Sequence, residues 1–64
     1  MIENVELAYC MAKLEDAIRE EKYSISVYTR VVGEDSTSKK MVTRWSTMID
    51  AFEAAFGVSY FDLH

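Results

Sequence analysis

The chain has 64 residues, half of them hydrophobic, with no proline, two glycines and a formal net charge of −4 at pH 7. This apolar content excludes a disordered segment, and a domain of this length buries only about 60% of the surface that its unfolded chain exposes. Domains this small gain stability from disulfides, a metal, good helix packing or self-association. Because Cys10 is the only cysteine and His64 the only histidine, the sequence favours helix packing and self-association.

The first predicted element is a long helix over about residues 3–32. A stripe of apolar residues recurs along it at helical spacing, and Glu21 alone interrupts it. The stripe consists of Leu7, Met11, Leu14, Ile18, Ile25, Tyr28 and Val32. It stops at Gly33, a residue type that commonly ends helices. Cys10 lies at the edge of the stripe, so we expect it to be a small core residue.

Residues 23–32, with the sequence YSISVYTRVV, also fit a β-strand. Ile25, Val27, Thr29 and Val31 alternate with other residues, and β-branched side chains favour strands. The alternative fold is therefore an α+β chain of order αβαβ, with strands at about 23–32 and 58–63. A pair of parallel strands is a poor unit alone, so this alternative needs a dimer to complete its sheet.

The second predicted helix covers about residues 37–56. Ser36, Thr37 and Ser38 are candidate N-cap residues, and Gly57 is a candidate for the residue that ends the helix. Its apolar residues fall within an arc of about 120°, as a buried helix face requires. This face consists of Met41, Val42, Trp45, Met48, Ile49, Phe52 and Phe56.

Two such helices predict an all-α antiparallel helical hairpin that forms a single domain over residues 1–64. A second apolar face on the long helix has no partner within the hairpin. It is the candidate dimer face, and it consists of Val5, Tyr9, Ala12, Tyr23 and Val27. Because two-fold dimers are the commonest oligomers, we expect a homodimeric four-helix bundle.

Charge is arranged in blocks along the chain. Residues 1–21 carry six acids and two bases, residues 22–44 carry five bases and two acids, and residues 45–64 carry three acids. The pattern fits solvated helix faces, and it also fits a basic contact patch at the turn of the hairpin. The candidate contacts in that patch are Arg30, Lys39, Lys40 and Arg44.

The C-terminal segment VSYFDLH is apolar and follows the predicted end of the second helix. It either covers the end of the bundle or docks on another protein, in which case Tyr60 and Phe61 are the candidate contacts. His64 and Asp62 make at most a weak two-ligand metal site, so we expect a frayed terminus there. We expect no cofactor.

The sequence has no phosphate-binding loop, metal-ligand spacing or nucleophile motif, so we do not expect an enzyme. The N-terminus MIENVELAYC lacks the basic residues of a secretory signal, and no apolar run is long enough to cross a membrane, which together favour the cytoplasm. We expect a non-catalytic interaction module (an adaptor, modulator or inhibitor) that binds itself and another protein, as accessory proteins of phages and mobile elements do. A nucleic-acid-binding dimer and a structural subunit of a larger assembly are the alternatives.

Overall fold

A computed structural model describes residues 4–63 as an antiparallel helical hairpin. Helix α1 is Asn4–Val31, helix α2 is Ser36–Phe56, and a short 3-10 helix covers Tyr60–Leu63. The predicted start of α1 at residue 3 lies just outside the described residues. The all-α prediction is confirmed, and the αβαβ alternative is wrong, because residues 23–31 continue α1 and residues 4–63 contain no strand.

The β-branched end of α1 is helical because packing against α2 outweighs local propensity. Ile25, Tyr28 and Thr29 are at least partly buried along the side that continues from the fully buried Ile18. The hydroxyl of Thr29 donates a 2.9 Å hydrogen bond to the carbonyl oxygen of Ile25 one turn earlier. The residue type that favours a strand therefore fits the helix at this position.

The turn between the helices is fixed by a capping box at the start of α2. Asp35 is the N-cap residue, and its side chain accepts a 2.9 Å hydrogen bond from the backbone N–H of Ser38. The hydroxyl of Ser38 accepts a 2.8 Å bond from the N–H of Asp35 in return. The predicted N-cap at Ser36, Thr37 or Ser38 is therefore wrong, since an acidic residue one position earlier takes that role.

Both glycines have positive φ, at 105° for Gly33 and 68° for Gly57. Gly57 ends α2 in the left-handed conformation, and its N–H donates a 2.9 Å hydrogen bond to the carbonyl oxygen of Glu53. Its predicted role at the end of α2 is thus confirmed, since glycine adopts this conformation without steric cost.

The core is a small cluster at the middle of the hairpin. Its buried apolar members are Ile18 from α1, Ile49 and Phe52 from α2, and Tyr60 from the 3-10 helix. Partly buried side chains surround them, namely Met11, Leu14, Trp45, Met48 and Phe56. Cys10 and Val42, both expected to be buried, are exposed, and those two predictions are wrong.

The two helices differ in length, which leaves the first turns of α1 uncovered. The 28 residues of α1 span about 42 Å and the 21 residues of α2 about 32 Å. Because the turn is short, the excess of α1 lies at its N-terminal end, where residues 4–10 are all exposed. This explains why Cys10 and Leu7 are exposed although the apolar stripe passes through that end.

Candidate interaction surface

The predicted dimer face lies on the side of α1 that points away from the core. Val5, Tyr9 and Tyr23 are 80%, 62% and 68% exposed, a large area of apolar surface for single side chains. Ala12 is also exposed and Val27 is partly buried. The hairpin therefore leaves these residues available, as an unpartnered face requires.

These residues belong to a longer line with a regular heptad spacing, which we call the outer stripe. Steps of four and three residues alternate along it, and at 100° per residue all its members lie within about 100° of arc. The outer stripe consists of Val5, Tyr9, Ala12, Asp16, Arg19, Tyr23, Ser26 and Arg30. Val27 borders it.

The centre of the outer stripe is a charged pair that the sequence reasoning did not include. The guanidinium of Arg19 donates a 3.2 Å hydrogen bond to the carboxylate of Asp16, and both side chains are exposed. The heptad spacing of the sequence indicates that this pair belongs to the outer stripe, because the count from Tyr9 to Tyr23 passes through positions 16 and 19.

An open groove of about 420 Å³ lies beside the C-terminal half of the outer stripe. Its lining is mostly apolar and consists of Tyr23, Ser24, Val27, Tyr28, Val31, Val32 and Met41. A second recess of similar size lies along α1 between Arg19, Glu20, Tyr23 and Ser24. Grooves of this kind accept single side chains of a docked helix.

The turn end of the hairpin carries charges of both signs. Arg30, Lys39 and Lys40 are exposed there, as the candidate contact patch predicts. Glu34 and Asp35 lie in the same turn and bring negative charge among them.

The fourth base of the candidate patch, Arg44, is already engaged between the helices. Its Nε lies 3.3 Å from Oε1 of Glu21, whose side chain is only 15% exposed. The contact is an ion pair without hydrogen-bond alignment, because that buried oxygen has no hydrogen-bond partner in the described part of the chain. Glu21, the one polar residue in the apolar stripe of α1, thus faces a cation on α2.

Asp35 has a second partner besides the capping box. The hydroxyl of Tyr28 donates a 2.7 Å hydrogen bond to its other carboxylate oxygen. This bond, together with the backbone N–H of Ser38, holds the pKa of Asp35 below its ordinary value of 3.8. The same bond raises the pKa of Tyr28 above its ordinary value of 10.0.

The two candidate contacts in the C-terminal segment have different positions. Tyr60 is buried with its ring edge-on to Phe52 at 5.6 Å, and its backbone N–H donates a 2.9 Å hydrogen bond to the carboxylate of Glu53. Phe61 is 59% exposed and lies edge-on to Trp45 at 6.3 Å. Tyr60 is therefore part of the core, and of these two residues only Phe61 is exposed.

Other candidate chemistry is sparse. Among residues 4–63, no group of three or more His, Cys, Asp or Glu side chains is placed to hold a metal ion. His64, the proposed partner of Asp62 in a weak metal site, lies outside the described residues. Neither described helix has a stretch of sufficient length and hydropathy to cross a bilayer.

Three comparisons with known proteins gave no relative. No family model matches the chain, and neither does any curated protein or any solved structure. The function is therefore inferred from the geometry of the chain itself.

Proposed function

We propose that this protein is a non-catalytic protein–protein interaction module, an adaptor, modulator or inhibitor, which binds through the outer stripe of α1 and works as a homodimer. The observation that supports the proposal is the exposure of Val5, Tyr9 and Tyr23 on one line of a helix whose opposite side forms the core. Aromatic side chains contribute much of the binding energy in protein interfaces, so two exposed tyrosines on a rigid helix suit this role.

The grooves beside the outer stripe support docking of a helix better than binding of a small molecule. Both are open, and together they border the C-terminal half of α1 from residue 19 to residue 32. An amphipathic helix laid along α1 would place side chains into them at intervals of three and four residues. The setting of this proposal is the cytoplasm, where a lone exposed thiol such as that of Cys10 stays reduced.

Affinity capture from the native cell, read by quantitative mass spectrometry, tests the proposal. The variant is Tyr9→Glu combined with Tyr23→Glu, which places two charges on the outer stripe while the core is untouched. The matched control is Val42→Glu, an exposed apolar position on α2. We expect the wild type and the control to retain a set of proteins, including untagged copies of the chain. The stripe variant should not retain this set. Equal capture by all three would overturn the proposal.

A further inference from the structure

We propose that the outer stripe of α1 binds the same stripe of a second copy, with the two α1 helices antiparallel and the two-fold axis passing between residues 17 and 18. This inference rests on the proposed function and identifies a second copy of the chain as one binding partner. In this register, facing residues have numbers that sum to 35. Four features of the outer stripe fit it.

Charge at the centre of the stripe is complementary in this register. Asp16 faces Arg19 of the second copy, and the symmetry repeats the contact. Within one chain Arg19 uses one guanidinium nitrogen on Asp16, so its remaining N–H groups are free to reach the second carboxylate. Two aspartates and two arginines then form one alternating cluster at the axis.

Side-chain size is complementary on both sides of that cluster. Tyr9 faces Ser26 of the second copy, and Ala12 faces Tyr23 of the second copy. Each large ring therefore meets a small residue, which lets two helices approach closely without voids. Tyr9 also comes to the level of Val27, at the edge of the apolar groove of the other chain.

The residues at the ends of the stripe and beside it are also complementary in this register. Val5 faces the aliphatic stem of Arg30 of the second copy. Beside the stripe, Lys13 lies within about one half-turn of Glu20 of the second copy, which gives an opposite-charge pair at the border of the contact. Both side chains are exposed in the single hairpin.

The charges at positions 16 and 19 also favour the antiparallel direction over the parallel one. An antiparallel pair places each Asp16 opposite an Arg19 of the other copy. A parallel pair would place Asp16 against Asp16 and Arg19 against Arg19, so electrostatic repulsion selects against it.

Charge exchange at the axis tests the inference, with mass measured by sedimentation equilibrium over a range of concentrations. Asp16→Arg and Arg19→Asp each create like-charge contacts at the axis, and we expect each to weaken dimerisation at least about 10-fold. The double variant Asp16→Arg/Arg19→Asp restores opposite charges and regains the dimer. An equimolar mixture of the two single variants should form a mixed dimer. Asp50→Arg, an equal charge change on α2, is the control and should leave dimerisation unchanged, and circular dichroism confirms that every variant is folded.

The following results would overturn the inference. A wild type that stays monomeric rejects the second copy as the partner, and single variants that dimerise like the wild type reject the register. A double variant that stays monomeric rejects the pairing of Asp16 with Arg19 across the axis. If the wild type is monomeric and still shows stripe-dependent capture of another protein, the proposed role as an interaction module stands, and both the homodimer and this inference fail. If stripe-dependent capture is also absent, both fail.

Discussion

The hydroxyl of Tyr28, near the end of α1, donates a 2.7 Å hydrogen bond to the carboxylate of Asp35, the N-cap residue of α2. One carboxylate thereby joins both helices and the turn between them, since its other oxygen accepts the backbone N–H of Ser38. We therefore expect the closure of the hairpin to depend on this residue.

Asp35→Ala should lower the free energy of unfolding clearly more than Glu34→Ala does, because it removes the cap of α2 and the bond from Tyr28. Urea denaturation followed by circular dichroism measures the change. Glu34→Ala is the matched control, because the neighbouring carboxylate makes no hydrogen bond within residues 4–63. An equal loss in both variants would contradict the role of Asp35.

The stability contribution of Asp35 should depend on pH. Its pKa is lower in the folded protein than in the unfolded chain, so the contribution is present above its ordinary pKa of 3.8 and is lost as the pH falls through the folded-state value. The difference in unfolding free energy between wild type and Asp35→Asn should therefore narrow as acid is added. In a Tyr28→Phe background the narrowing should be smaller, since that variant removes the main cause of the shift. A difference that does not vary with pH would contradict this assignment.

Glu21→Leu should raise the free energy of unfolding by about 1 kcal/mol, because a leucine completes the apolar stripe and leaves Arg44 in solvent. Arg44→Ala should lower it by about 0.5 to 1 kcal/mol, since it leaves the mostly buried carboxylate of Glu21 without a cation. Lys40→Ala, an exposed lysine on the same helix, is the control for the loss of charge. Destabilisation by Glu21→Leu would show that the ion pair contributes more than apolar burial.

Tyr60→Ala should lower the free energy of unfolding by about 2 to 3 kcal/mol, because it empties a site in the core next to Phe52. Phe61→Ala, at the exposed neighbouring ring, should cost less than about 1 kcal/mol. Deletion of residues 59–64 should match Tyr60→Ala. Thermal unfolding of the three variants measures the difference, and equal effects of the two single substitutions would contradict the structure.

The fold was predictable because the apolar stripe of α1 keeps its spacing through residues 23–32 in spite of their β-branched side chains. Local propensity alone favours a strand there, whereas the apolar spacing from Leu7 to Val32, the stop at Gly33 and the lack of a good sheet partner favour the helix. The cap of α2 was missed because serines and a threonine follow Asp35 directly and each is a good N-cap type. Ser38, three residues after Asp35, indicates that Asp35 is the N-cap residue, because its hydroxyl completes the capping box.

The candidate surface was partly predictable. The exposed apolar residues of α1 follow from the count along the helix, whereas the place of Asp16 and Arg19 among them does not follow from an apolar pattern, because both are charged. Cys10 and Val42 were expected in the core because their spacing fits it. Cys10 is exposed because α2 is too short to cover the N-terminal turns of α1, and sequence spacing does not show where a partner helix ends. Val42 lies at the edge of the apolar arc of α2. The burial of Tyr60 depends on the segment after Gly57 folding back onto α2, which no periodicity indicates.

The central claim is that two copies meet through their outer stripes in antiparallel orientation, and a distance measured between spin labels on Cys10 tests it most directly. The native thiol is exposed and lies off the stripe, so labelling leaves the proposed contact intact. Cys10 is about 7.5 residues from the proposed axis, which places the two Cα atoms about 25 Å apart for helix axes separated by 8–10 Å. A parallel pair would place them about 10 Å apart.

We expect a dipolar distance distribution consistent with the longer separation, and we expect its amplitude to fall when labelled protein is diluted with the unlabelled Cys10→Ser variant. A short distance, or no coupling between labels at the highest concentration at which the protein stays in solution, would contradict the account.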